Sequence, residues 1–440
     1  MFGFFVVLIL VTTQICAQSG GFNSPFSRFG IGDLADPNPI YLRHMGGVNA
    51  AFADNYHINH VNPASYSFLR ATAFDIGLSA NRISLSDQSD NNFSDWGGNL
   101  EYLSLAFPLR NPLNEVFDRE KRDFRHGMGF SLIPISRVSY HILNDEVDPE
   151  IGNFTREFIG DGGIYKVQWG NSVFYKNLSV GINLGYQFGK ITYERVINFD
   201  ELTAFDNRFT NDYSLNSFNY NVGAIYQFIL NKAQFTKDPN IEVKALNIGI
   251  YGNTNTSFST NGTELFQNSS GDIEVLAIRD TLSFAEDIQG RGTLPAQLGV
   301  GANYYVGGSL SLGVNYVLTR WSQYENEANP EELSDASKLS FGGFYRPNVK
   351  SFNYRDRIYY RFGFSYGKGE RSVNQEELDQ YSINAGFGFP FVYQRKISHI
   401  NLGIEFGQRS TGSLLSENFV KFGLGLTFND DEWFIKRKYN

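Results

Sequence analysis

A two-residue alternation of apolar and small polar side chains, repeated along almost the whole chain, constrains this sequence more than any other feature. In Leu178-Ser-Val-Gly-Ile-Asn-Leu-Gly-Tyr-Gln-Phe188 one face carries Leu178, Val180, Ile182, Leu184, Tyr186 and Phe188. The other carries Ser179, Gly181, Asn183, Gly185 and Gln187. The pattern recurs in Leu310–Leu318, Tyr381–Phe389, Ile400–Phe406 and Val420–Phe428. Successive side chains of a strand point to opposite faces, so this period specifies β-strands with one apolar face. That face meets either a second sheet, in a large soluble β-protein, or lipid, in a membrane barrel. Strand length separates the two. A tilted strand needs about 9–11 residues to cross a bilayer, whereas strands of soluble sheets run to about five or six. These segments have the longer length, and aromatic residues gather at their ends (Tyr186, Phe188, Tyr304, Tyr305, Phe428), as interfacial girdles require.

Fourteen segments qualify. They are Ala73–Ile83, Asn99–Phe107, Gly127–Val138, Ile164–Tyr175, Leu178–Arg195, Leu215–Phe228 and Val243–Phe258 in the first half. Ala296–Val306, Ser309–Trp321, Leu339–Arg346, Arg357–Lys368, Gln380–Phe389, Ser398–Gln408 and Phe419–Phe428 follow. The expected fold is therefore all-β, a transmembrane barrel of about fourteen antiparallel strands. Tight turns at Lys176-Asn177 and Gly307-Gly308 alternate with long polar connections at Ser139–Gly163, Val196–Ser214, Ser259–Pro295 and Ser322–Lys338. Short turns belong on the periplasmic side and long loops outside, which puts both termini in the periplasm. The outer connections are acidic (Asn144 to Glu150, Glu325 to Glu332), and several inner ones are basic (Arg119 to Arg122, Arg395-Lys396). Ile273 to Phe284 has the pattern of an additional hairpin standing above the membrane.

Composition fits the same class. The chain is 16% aromatic, holds 44 glycines and is only 42% hydrophobic. Its mean hydropathy of −0.29 is what alternation produces when half of every strand faces inward. Beyond the first seventeen residues no run approaches the roughly 20 apolar residues of a membrane helix. Met1 to Ala17 reads as a secretory signal peptide cleaved before Gln18. The single cysteine, Cys16, leaves with it, and the residues preceding it suit lipidation poorly. A net charge of −9 speaks against a nucleic-acid partner, which would call for a basic face.

The domain plan is then a signal peptide over 1–17, an N-terminal hatch over 18–72, a barrel over 73–428 and a periplasmic tail over 429–440. The hatch expectation rests on its mixed character: Pro, Gly and Asn are interleaved with Phe22, Phe26, Phe29, Met45 and Phe52. A barrel of this size needs filling, and inward faces of Gly, Ser and Asn leave room for a backbone. The run Asn23-Ser-Pro-Phe-Ser-Arg-Phe-Gly-Ile-Gly-Asp33, then Met45-Gly-Gly-Val-Asn-Ala-Ala-Phe52 and Asn62-Pro-Ala64, resembles the hatch of FadL/TodX-type barrels, closest to the branch common in Bacteroidota. Gly160 to Gly170 and Asp431 to Tyr439 are similar to that branch too, so the resemblance spans the mature chain. On it, Asn23, Ser24, Pro25, Arg28, Gly30, Gly32, Gly46, Gly47, Asn62, Pro63 and Ala64 form the hatch motif.

The resemblance implies a monomeric outer-membrane barrel that passes hydrophobic small molecules such as fatty acids inward through an opening in its wall. The partners it implies are outer-membrane lipid, lipopolysaccharide and a hydrophobic ligand in the lumen. One departure matters: the outer segments are acidic, with apolar islands only at Phe154, Phe158 and Ile159. That, with inward faces of Gly, Asn and Ser, suits an alternative, a non-transporting subunit of a secretion translocon or barrel-insertion complex with other outer-membrane or periplasmic proteins as partners. No catalytic constellation or cofactor site is expected. His57-Ile-Asn-His60 offers two ligands in a turn but no third, and no serine sits in a Gly-x-Ser-x-Gly elbow. Among acidic segments Asp145 to Glu150 is the best candidate for a divalent cation.

Overall fold

In the computed structural model the alternating segments close into one antiparallel sheet. It describes residues 24–433 except 88–91, 112–113, 115–122, 150–151, 200–204, 239–240, 271–276, 374–375 and 412–414. The expected signal peptide, Cys16, Asn23, Arg119 to Arg122, Glu150 and the end of the tail lie outside the described residues.

The sheet has eighteen strands. After β1 (Asp33–Leu34) come β2 (Thr72–Asp87), β3 (Asn92–Pro108), β4 (Phe124–Asp148), β5 (Gly152–Tyr175), β6 (Leu178–Phe199) and β7 (Asp206–Ile229). Then follow β8 (Lys244–Asn253), β9 (Thr256–Ser270), β10 (Ala277–Leu294), β11 (Gln297–Val306), β12 (Leu310–Thr319) and β13 (Glu325–Asn326). The last are β14 (Ala336–Tyr345), β15 (Tyr359–Val373), β16 (Glu376–Tyr393), β17 (Lys396–Thr411) and β18 (Leu415–Asp430). β18 pairs with β2 from Leu415↔Asp87 to Asp430↔Thr72, which closes the barrel. β1 and β13 are two-residue additions, and β8/β9 and β10/β11 are each one spanning strand broken in the middle, so fourteen strands cross. Those two breaks lie side by side, and Pro295 in the second has no N–H for the ladder. Asn255 bridges the gap, its Oδ1 accepting from the Ala296 N–H at 2.7 Å.

The tight turns at Lys176-Asn177, Gly307-Gly308 and Gln394-Arg395 share one rim. Lys176 there has φ 57°, and Gln394 and Arg395 have φ 47° and 68°, the left-handed pair of a tight hairpin turn. The opposite rim departs from expectation. Ser139–Gly163, Val196–Ser214 and Ser259–Pro295, read from their polarity as loops, are mostly strand: β4 to β7, β9 and β10 run far past the bilayer as a six-stranded extension. Alternation persists there with fewer apolar residues, which hid it. The inner face of the extension buries Val138, Tyr140, Ile164, Ile191, Tyr213, Leu215, Phe258 and Leu294. Trp321 and Tyr324, from the connection after β12, cover them, as does Ile31 from the N-terminal segment. The hairpin expected over Ile273 to Phe284 belongs to the extension, with 273–276 outside the described residues.

Outward-facing positions of the barrel form an apolar belt. Phe74, Leu78, Phe130, Val180, Ile182, Leu184, Ile248, Ile250, Phe341, Phe364 and Leu402 are all exposed. Their alternating neighbours (Ser104, Ser131, Ser179, Asn183, Asn247, Asn303, Asn315, Ser340, Ser365, Asn384, Asn401) are buried, although a bare barrel would leave them facing an open lumen. Something fills it.

Candidate functional site

Residues 24–71 run down the lumen, and their few elements are short: the 3₁₀ turns Pro25–Arg28 and Pro63–Phe68, β1 and the one-turn helix Ile40–Arg43. A segment with so little internal hydrogen bonding must find partners for its backbone elsewhere, since each buried unpaired group is costly. The inward polar side chains of the wall supply them. Asn384 donates to the Arg43 carbonyl (2.8 Å), Gln168 and Asn183 to that of His60 (2.9 and 3.1 Å), and Asn221 to that of Val61 (2.7 Å). Ser179 donates to the Ala64 carbonyl (2.7 Å), and Asn315 accepts from the Ala50 N–H (3.0 Å). Wall glycines bring the two backbones together: a Cβ on Gly249 would lie 1.9 Å from the Ala50 carbonyl oxygen.

The motif residues occupy defined places on this path. Ser24 is fully buried, donating its N–H to the Ser139 carbonyl (3.0 Å) and its hydroxyl to Glu417 (3.0 Å). Pro25 opens the first 3₁₀ turn, and the Arg28 guanidinium sits 4.5 Å above the Phe158 ring. Gly30, Gly32, Gly46 and Gly47 all have positive φ. Gly32 (φ 100°) is required twice over, because a side chain there would also meet the Arg137 carbonyl at 2.6 Å. Asn62 caps the second 3₁₀ turn through the Ala64 N–H (3.1 Å) and donates to the Ala50 carbonyl (2.6 Å). Pro63 occupies the first position of that turn, and Ala64 packs against Phe68, Phe174 and Ile225. Ser24 lies toward the extended rim and Trp433 at the short-turn rim, so the described chain starts and ends at opposite rims.

Two buried charge clusters hold the segment, and neither stood out in the sequence. Asp33 accepts from Arg409 (2.7 Å) and Arg371 (3.2 Å), and Arg409 also donates to Glu417 (Nε, 2.9 Å). Burial alone would raise the Asp33 carboxyl, but the two guanidiniums hold it well below the usual carboxylate range. In the second cluster Glu101 accepts from Arg43 (2.7 Å), Arg137 (3.1 Å) and Ser79. The signal for the second was charge inside predicted strands, at Glu101 and Arg137, where a lumen bare of partners would not need it. Asp33, Arg371, Arg409 and Glu417 all lay outside the predicted strands.

Glu101 marks a split in the wall. β3 pairs with β4 only from Leu103↔Leu132 to Pro108↔Gly127, while β3 continues along β2 and β4 along β5. The cause is local. A register shift between Pro134 and Ser136 bends β4 away and changes which of its residues face inward, from Ser131 and Ile133 to Ser136, Val138 and Tyr140. A second shift in β3 buries both Glu101 and Tyr102 between lipid-facing Leu100 and Leu103. The free edge of β4 is taken by the lumen segment. Asp33 and Leu34 pair with Arg137 and Ser136, the Ala35 N–H donates to the Ile135 carbonyl (2.9 Å), and Ser27 donates to the Ser139 carbonyl (3.1 Å).

His57 and His60 are both buried and packed in the lumen. His57 contacts Asp54 (3.1 Å) and packs at a tilt against His399 with ring centroids 4.6 Å apart. His60 donates Nε2–H to the Pro37 carbonyl (2.7 Å), its Nδ1 lies 3.2 Å from the Ser104 hydroxyl, and burial pushes its pKa down to about 4. The two rings thus face different partners. Among the described residues no three His, Cys, Asp or Glu side chains are grouped to hold a metal ion. Asp145 is engaged by Thr155 (2.8 Å), and Glu146 by Asn144 (2.8 Å) and Arg156 (3.2 Å). A cavity of about 420 Å³ in the extension is lined by Arg28, Tyr140, Phe158, Tyr193, Glu194 and Arg195 among others, a mixed surface in place of an apolar groove.

A fourteen-stranded antiparallel barrel with an occupied lumen and a split beside a kinked strand defines a transmembrane β-barrel whose fold is that of the FadL-type structures. The chain belongs to the BamG family, whose pattern it matches over residues 2–440. Solved structures share the fold at low sequence identity. The toluene transporter TodX of Pseudomonas putida is 16% identical with a TM-score of 0.56, over 89% of this chain and 98% of TodX. A Pseudomonas aeruginosa FadL homologue is 12% identical with a TM-score of 0.56, over 90% of this chain and 100% of its own. The toluene transporter TbuX of Ralstonia pickettii is 13% identical with a TM-score of 0.53, over 89% and 98%. No curated protein sequence matches the chain.

Proposed function

We propose that this chain is a closed FadL-type barrel that serves as a fixed, non-transporting subunit of a multi-protein outer-membrane assembly, its short-turn rim in the periplasm. One observation carries the reading: the lumen is filled by a segment whose backbone is hydrogen-bonded to the wall along its length and whose charges are neutralised in burial. Passage through the barrel requires breaking these contacts together. The motif residues from Ser24 to Ala64 act, in this reading, as a permanent filling that sets barrel shape, and the extension with its capped aromatic core presents a rigid surface. Extraction from native membranes in mild detergent, followed by sizing and mass analysis, tests it. A stoichiometric protein partner is the expected result, and a lone monomer carrying hydrophobic ligand would overturn it.

A second reading, passive uptake of hydrophobic compounds such as fatty acids, is favoured by the split between β3 and β4 and by the shared fold with barrels described as toluene transporters. It requires the lumen segment to move. Uptake of a hydrophobic dye by proteoliposomes, abolished when a disulfide ties the segment to the wall, would establish it over the first.

A further inference from the structure

The split leaves two free strand edges and the lumen segment covers only one of them. We infer that the uncovered edge, β3 from Ser94 to Leu100, is a docking strand that takes an extended backbone segment of a partner outer-membrane protein. The inference rests on the reading of the chain as an assembly subunit and names the surface by which it assembles.

Direction is the first point. In an antiparallel strand alternate residues point both backbone groups to the same side. The Leu100 carbonyl accepts from the Arg137 guanidinium at 3.2 Å, across the split. The Trp96 N–H is met by the neighbouring Asp95 carboxylate at 2.8 Å and by no strand. Both belong to the even-numbered set Ser94, Trp96, Gly98 and Leu100, which therefore faces the split. Their odd neighbours complete the ladder with β2. Among the described residues no strand pairs with that side of β3 from Ser94 to Leu100.

Depth is the second. Leu100 lies opposite Leu78, and both are exposed on the lipid belt next to Leu103. Trp96 lies opposite Arg82, whose guanidinium is 5.8 Å from its ring, and it stacks on Phe422 at 6.3 Å, as an interfacial aromatic does. The edge thus descends from the interface into the hydrocarbon. Lipid tails offer neither donors nor acceptors, and an open sheet edge in that region costs several kcal/mol per unmet group. A backbone segment presents both kinds of group at strand spacing, which is how peptides add to exposed sheet edges. The same molecule already uses that solution across the split, where residues 24–35 cover the edge of β4. The outward side chains Trp96 and Leu100 give such a partner an apolar, membrane-embedded flank.

The test uses the full chain in native membranes. Gly98→Pro removes one N–H from the free edge, and an added Cβ there meets only the Ser79 carbonyl, at 3.8 Å. Gly97→Pro, one residue away, instead breaks the ladder with β2 and serves as the folding control. Expected for Gly98→Pro are a normally heat-modifiable barrel and at least a tenfold loss of the co-purifying partner. Amide exchange of residues 94–100 should likewise be slowed at least tenfold in the complex relative to the purified monomer in lipid nanodiscs. A folded Gly98→Pro barrel that keeps its partner, or an edge exchanging equally fast in both preparations, overturns the docking strand and leaves the subunit reading standing. Absence of any stoichiometric partner of the wild type overturns both.

Discussion

Replacing Glu101 by alanine removes the anion at the centre of the buried cluster beside the split. Its side chain is 2% exposed and holds Arg43, itself 7% exposed, at 2.7 Å. Without it Arg43 keeps its contacts to the Asn38 and Asp36 carbonyls (3.1 and 2.8 Å) but loses its ion partner inside the barrel. Stranding a buried charge in this way costs about 3–5 kcal/mol. The strands on either side of Glu101 keep their own ladders with β2 and β5, so the loss falls on the seating of the lumen segment, whose displaced population rises roughly 10²–10⁴-fold at about 1.4 kcal/mol per decade. Ser65→Cys, at a buried hatch position, reports this directly: the maleimide labelling rate of the folded barrel tracks the displaced population. Adding Arg43→Met to Glu101→Ala removes the stranded charge and should return most of the loss. A labelling rate within twofold of the parent, in a barrel that remains folded, would show that this cluster does not hold the segment.

Other outcomes follow from the same geometry. Gly249→Leu places a side chain where the Ala50 carbonyl sits, so the folded barrel should lose its filling and show increased ion conductance in planar bilayers. Asn62→Ala removes the cap of Pro63–Phe68 and the bond to Ala50, costing roughly 1–2 kcal/mol and raising Ser65→Cys labelling about tenfold. Acidification should loosen the segment. Seated His60 titrates near pH 4, whereas a released one titrates near 6.5, so seating weakens as pH falls between those values, by up to about 1.4 kcal/mol per unit. Below that window the His60 effect is flat, and His60→Gln should abolish it. Asp36 acts in the same sense at lower pH. Burial opposes its ionisation, but Lys338 and Arg43 hold it down at about 2, so its contribution, present above about 3.8, is lost as pH falls toward 2.

The barrel itself was legible because its cause is local: which face of a strand meets lipid is written every second residue, and strand length follows from bilayer thickness. Polarity misled the same reading at the extended rim, where Ser139–Gly163 and its neighbours keep strand alternation but bury their apolar face against other loops instead of lipid. Gly32 and Asn62 declare their roles in sequence, since a left-handed turn and a capped 3₁₀ turn depend on adjacent residues. The clusters Arg43–Glu101–Arg137 and Asp33–Arg371–Arg409–Glu417 do not. Asp33 and Arg409 are separated by 376 positions, and their pairing exists only because the sheet closes around the segment between them. The split belongs to the same category. Pro134 in a run otherwise alternating is its only visible trace, and the edge it frees at Ser94 to Leu100 is a property of two strands that part, which no single strand's pattern contains. Sequence determined a fourteen-stranded membrane barrel because lipid and backbone act residue by residue. Tertiary structure decided how the filling is held and where the wall stays open, because ion pairing and ladder completion depend on distance in space.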